Sequence, residues 1–165
     1  MKDFLAPGNT ITVRFGSPGI RLQTYCESAF EFRVFADPIA TYDFVALPVS
    51  PQIAIVPGPG VRWHAVLPTL VRAGEPFRLG IKADDKWGNP SNLIDRTLLL
   101  SADRTVAGLP ATLPFRPGEF AVAADGLTVE TPGDVAIRVL DEVGTELCRA
   151  NPLRVAAEDV GVVHF

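Results

Sequence analysis

Chemistry-bearing side chains are scarce in this sequence. Its 165 residues hold two cysteines, two histidines, two tryptophans and one methionine. Cys26 and Cys148 stand far apart in unlike contexts. They form a disulfide if the protein is exported and otherwise pack as two buried or half-buried free thiols, and they cannot frame a zinc site. His64 and His164 have no partners at metal-ligand spacing. His64 reads as a residue on the polar or edge face of a strand. Lysines and arginines nowhere cluster, and the net charge is −4. That disfavours nucleic-acid binding, which needs grouped cations against phosphates. No apolar run approaches the ~20 residues of a membrane-spanning helix. Met1 to Gly8 lacks the apolar core of a signal peptide. There is no Gly-x-Ser-x-Gly elbow, P-loop or dinucleotide fingerprint. No two carboxylates are paired in the way that glycoside hydrolysis requires.

Proline and glycine, by contrast, are abundant at 15 and 14 residues and spread throughout. They cut every run with helical spacing before three turns can form, which excludes amphipathic helices. Short apolar stretches between regular turn signals predict an all-β fold, an immunoglobulin-like β-sandwich with an additional N-terminal β-rich segment packed against it. Strands are expected over 10–15, 20–25, 29–36, 42–46, 52–56, 62–67, 76–83, 96–101, 119–124, 127–131, 134–140 and 147–155. Phe77, Leu79, Ile81 and Ala83 alternate with Arg78 and Lys82. The clearest periods of two are Phe30, Phe32 and Val34 against Glu31, Arg33 and Phe35, and Val135, Ile137 and Val139 against Ala136, Arg138 and Leu140. Asp141-Glu142-Val143-Gly144-Thr145 reads as the hairpin turn between the last two of these strands, its carboxylates in solvent.

The Pro-Gly alternation of 57–60 suits neither a central strand nor a helix and marks a boundary. It divides a β-rich segment, 1–57, from a sandwich of ordinary size, 58–158. The first part is thin for an independent domain. The last seven residues, Asp159-Val160-Gly161-Val162-Val163-His164-Phe165, form an apolar strand-like run ending on an aromatic. They read as a linker strand cut short on its way to a further domain.

The densest oxygen cluster is Asp84, Asp85 and Asn89, with Asn92 and Asp95. Calcium takes six to eight such oxygens, so Asp84, Asp85 and Asn89 are candidate ligands, although no Glu stands at the twelfth position of an EF-hand loop. The other reading is that Asp84 or Asp85 accepts nearby backbone N–H groups and fixes the Gly88-Asn89-Pro90 turn. Trp87 either covers the end of the sandwich or, with Trp63 and Phe115, supplies an aromatic platform for a ligand. No catalytic residue or cofactor site is expected.

The segments Gly16-Ser17-Pro18-Gly19-Ile20-Arg21-Leu22-Gln23-Thr24-Tyr25, Phe30-Glu31-Phe32-Arg33-Val34, Asp84 to Pro90 and Ala150-Asn151-Pro152-Leu153 resemble a bacterial family of unknown function. In that family an immunoglobulin-like N-terminal region precedes a domain similar to PHP-type metal-dependent phosphoesterases. The resemblance covers nearly the whole chain. It implies a non-catalytic accessory module of a larger bacterial protein, partnered with a downstream metallohydrolase-like domain. The family's junction runs into Trp-Gly-Asp-Leu-His, where the metal site begins. This sequence stops at Val163-His164-Phe165, so none of that family's metal ligands can be carried over. The alternative is a cell-surface immunoglobulin-like module that binds carbohydrate or protein.

Overall fold

The computed structural model describes residues 6, 8–14, 21–37 and 40–157. His164 and the expected linker strand of 159–165 lie outside the described residues. The described chain is all β and contains no helix, so none is long and apolar enough to cross a membrane.

Two antiparallel pairs come first: β1 (Glu27–Glu31) with β4 (Gln52–Ile55), and β2 (Phe35–Ala36) with β3 (Val45–Ala46). The remaining strands build a sandwich. One sheet has the order β10 (Val122–Leu127), β7 (Phe77–Asp84), β5 (Arg62–Val66). The facing strands are β13 (Glu146–Arg149), β12 (Ile137–Leu140), β8 (Arg96–Ala102) and β9 (Thr112–Phe115). They are continued by β11 (Gly133–Val135), β14 (Leu153–Ala156) and β6 (Leu70–Arg72). All pairings in the sandwich are antiparallel except β14 with β6. β5–β6, β11–β12 and β13–β14 each count as one interrupted strand. The first, second and fifth strands (led by β5, β7 and β10) then face the third, sixth and seventh (β8, β12 and β13), which is the immunoglobulin arrangement.

Alternation places the core. On β7, Phe77, Leu79, Ile81 and Ala83 are buried. They meet Leu98 and Leu100 of β8, Phe115 of β9, and Ile137 and Val139 of β12 in one cluster. Burying each large apolar side chain contributes about 1.5–3 kcal/mol. Every buried apolar residue among those described lies between Ala65 and Val155.

Several strand expectations are corrected. Two long strands, 134–140 and 147–155, are each interrupted. β11 gives way to β12 at Ala136, and β13 to β14 at Ala150–Pro152. The ladder slips by one residue there and is bridged by Ala150 N–H donating to the Ile137 carbonyl at 2.9 Å. The expected strand 127–131 is only the end of β10 followed by a single bridge, Thr128 to Ala107. Strand 42–46 shrinks to Val45–Ala46 because Asp37 draws the amides of Thr41 (3.1 Å) and Tyr42 (2.7 Å) into a turn. Strand 29–36 divides into β1 and β2. No strand forms over 10–14 or 21–25; Phe15 and Ile20 lie outside the described residues. Two strands went unexpected. β6 is too short to show a period, and β9 contains Pro114, tolerated because β9 is an edge.

The hairpin turn at 141–145 forms as expected. The Asp141 carboxylate accepts the amides of Thr145 at 2.7 Å and Val143 at 3.1 Å. Glu142 does more than face solvent, accepting the Thr97 amide at 2.9 Å.

Candidate functional site

The oxygen cluster sits where β7 ends. Asp85 leaves the sheet, Gly88 turns the chain at a φ of +95°, and Ser91 rejoins by donating its amide to the Ala83 carbonyl at 2.8 Å. Asp85 is 1% exposed. Its Oδ1 accepts the amides of Trp87 (2.9 Å) and Asn89 (3.0 Å), and its Oδ2 accepts the Gly58 amide (3.1 Å) and Asn89 Nδ2 (3.0 Å). Burial acts to raise the pKa of this carboxyl. The donors from the Asn89 side chain and from the backbones of Gly58, Asn89 and Trp87 outweigh it, and hold the group well below the usual carboxylate range.

Asn89 extends the network into the N-terminal segment. Its Nδ2 also donates to the Thr24 carbonyl at 2.7 Å, and its Oδ1 accepts the Cys26 amide at 3.1 Å. One side-chain amide thus pairs with a stretch of backbone as a neighbouring strand would. Asn151 does the same for Leu67, accepting its amide at 2.8 Å and donating to its carbonyl at 2.9 Å. In both cases proline follows the asparagine.

The Pro-Gly run is held by the same turn. Ser91 Oγ donates to the Gly58 carbonyl at 2.8 Å. A Cβ on Gly60 would come within 2.6 Å of Ile94 Cδ1 and 2.9 Å of the Ala83 Cβ, so only glycine fits.

The other cluster members point elsewhere. Asp84 projects from the opposite face of β7, with His64 Nε2 3.0 Å from its Oδ2 and Lys82 Nζ 3.1 Å from its Oδ1. The His64 approach lacks hydrogen-bond alignment. His64 lies opposite Lys82 on β5, an edge strand. Asp95 faces Arg116 at 3.6 Å on the surface. Among the described residues, no group of three or more His, Cys, Asp or Glu side chains is placed to hold a metal ion.

The aromatic candidates are likewise separated in environment. Phe115 is fully buried and cannot join an exposed platform. Trp63 is half-buried, edge-on to Phe115 at 6.1 Å, with the Arg96 guanidinium 5.7 Å from its ring centre. Trp87 is 52% exposed, with Lys86 Nζ 4.2 Å from its ring centre. Both cysteines are free thiols. Cys148 is half-buried, and burial, with Glu146 nearby, pushes its thiol up to about 11. Cys26 is exposed rather than packed.

The reach of Asn89 into residues 24–26 was not foreseen from the sequence. The available signal was chemical: an asparagine before proline, at a strand break, carries an acceptor oxygen and an NH₂ with two donor hydrogens, so it can pair with a peptide group and still donate once more.

No protein-family model matches the chain, and no curated protein matches it. Among solved structures, the D00-D0 domain of Intimin aligns at 13% identity and a TM-score of 0.45, covering 79% of this chain and 65% of that one. The D0-D1 domain of Intimin aligns at 10% and 0.43, covering 77% and 63%. The chain therefore spans slightly less than two thirds of either Intimin chain. A beta-glycosidase from Bacteroides vulgatus aligns at 16% and 0.42, over 76% of this chain and 18% of that one. Similarity at this level adds nothing to the fold read from strand pairing, which is an all-β, immunoglobulin-like sandwich.

Proposed function

We propose that this chain is a non-catalytic accessory module that carries and orients neighbouring parts of its polypeptide. The observation that supports this is the Asp85–Asn89 network. It ties the sandwich to residues 24–26 and to Gly58, and it engages the cluster's most buried polar groups in internal bonds. A module whose polar chemistry is directed inward suits support better than turnover. The neighbour it serves is the downstream metallohydrolase-like domain implied by the sequence resemblance. The parent polypeptide with and without residues 1–165 provides the test. Deletion is expected to lower solubility or melting temperature. Equal activity and equal melting temperature would overturn the reading, as would a coding sequence that ends at Phe165.

A second reading, a cell-surface module binding carbohydrate or protein, is favoured by the half-exposed Trp87. Tryptophan fluorescence that changes on titration with a glycan, and stays unchanged in Trp87→Ala, is the outcome expected of it. A flat response across a glycan and protein panel counts against it.

A further inference from the structure

The sheet edges of this molecule are not alike. In the sandwich every edge carries a device that discourages pairing with another chain. β5 carries Arg62 and His64, β9 contains Pro114, and β13 carries Glu146 and Arg149. β10 carries Asp125 and a register shift before Leu127, β6 and β11 are three residues long, and Arg104 donates to the Pro132 and Asp134 carbonyls beside β11. In the N-terminal segment β1 carries Glu27 and Glu31, and β2 and β3 have two residues each. β4 has no such device. Gln52-Ile53-Ala54-Ile55, continued by Val56, holds no charge and no proline, and its sole partner among the described strands is β1. Ile53 and Val56 are exposed, Val56 at 74%.

We propose that the edge of β4 left unpaired among the described residues pairs antiparallel with β4 of a second copy of this chain. The proposal is independent of the accessory-module reading. The sequence is self-complementary about Ala54. A two-fold pairing there sets Gln52 against Val56, Ile53 against Ile55 and Ala54 against its own copy, so no charge meets a charge. Self-pairing of β1 about Ala29 would instead set Glu27 against Glu31, which is unfavourable. Phe30 lies opposite Ile53 within the chain. Ile55 lies opposite Glu27 in its own chain, so pairing of β4 makes two symmetry-related apolar rows, each running Phe30–Ile53–Ile55 across three strands and ending on Glu27 of the outer strand. Two isolated strands are marginal in water, whereas three or more sharing an apolar face are not. The dimer is isologous and closed, and Pro51 and Pro57 delimit the paired length.

The test is sedimentation equilibrium of the 165-residue chain up to millimolar concentration, with Ala54→Lys as the breaking variant. Ala54 is exposed, so the monomer fold has room for lysine there. The expected result is a reversible dimer whose dissociation constant rises about tenfold or more in Ala54→Lys, where two lysines face each other on the axis. Glu31→Lys, on the far strand, is expected to leave it unchanged. Hydrogen exchange supplies a second readout: amides of 52–56 become protected as concentration rises, and those of β10 do not. A chain that stays monomeric at millimolar concentration overturns the proposal. So does a dimer that persists in Ala54→Lys, or one whose protection falls on another strand.

Discussion

The sandwich and the N-terminal segment are built from similar residues and stabilised in opposite ways. Between Ala65 and Val155, alternation delivers large side chains into a closed interior such as that around Leu79, Phe115 and Ile137. Before Pro57, side chains of the same kind, including Phe35, Phe44, Val45 and Val49, remain exposed. An apolar groove of about 720 Å³ runs between Ile11, Val13, Phe32, Phe35 and Leu47. A period of two is thus necessary for burial without being sufficient for it. A second layer must face the strand, and the sandwich supplies one where the paired ribbons do not.

Substitutions can sharpen this contrast. Phe115→Ala is expected to cost about 3–5 kcal/mol in urea unfolding, whereas Phe35→Ala in the segment changes stability by less than about 1 kcal/mol. Equal losses would show that the segment shares the core. Asp85→Asn, which presents an NH₂ to groups that are themselves donors, is expected to lower the melting temperature by about 10 °C. Gly60→Ala forces a methyl against Ile94 and Ala83 and is expected to cost about 1–3 kcal/mol.

The acid limb isolates the carboxylate. The folded-state pKa of Asp85 is depressed, so its contribution is fully present above the unfolded value of about 4 and is lost as pH falls below it. A melting temperature in Asp85→Asn that falls with acid as steeply as that of the unmodified chain would show that other carboxyls dominate. The Asn89→Ala variant separates the two regions most directly. It is expected to cost about 1–3 kcal/mol and to speed hydrogen exchange at Cys26 while leaving β7 and β12 protected. The smallest effect is chemical. At pH 8, a thiol reagent is expected to label the exposed Cys26 before the half-buried Cys148.

The sandwich was legible because its strongest strands carry their own punctuation. Phe77 to Asp84 alternates cleanly and then meets Asp, Gly and Pro, so strand and turn both follow from local rules. β9 was hidden by Pro114, and β6 by being too short for a period. The first interrupted strand read as continuous because Val135, Ile137 and Val139 keep one period across the break. In the second the buried positions change phase between Ala150 and Leu153, and Asn151-Pro152 was the signal of it. In the N-terminal segment the alternation of Phe30, Phe32 and Val34 suggested one strand through Ala36. The ladder breaks within it, and periodicity does not report where partners end. At the candidate site the Asp-rich turn was visible in sequence. Its reach was not, since nothing local to Asn89 reveals that it bonds to residues more than sixty positions earlier.

The order of residues in the two asparagine–proline pairs has a consequence for ageing. Spontaneous asparagine deamidation proceeds through a cyclic imide, formed when the following residue's backbone N–H attacks the side-chain carbonyl. Proline has no such hydrogen, so Pro90 and Pro152 close that route at Asn89 and Asn151. Were the amide of Asn89 hydrolysed, a new carboxylate would stand where the NH₂ now donates to Asp85 at 3.0 Å and to the Thr24 carbonyl at 2.7 Å. The residue that ends each ladder thereby preserves, over the lifetime of the molecule, the amide that replaces it.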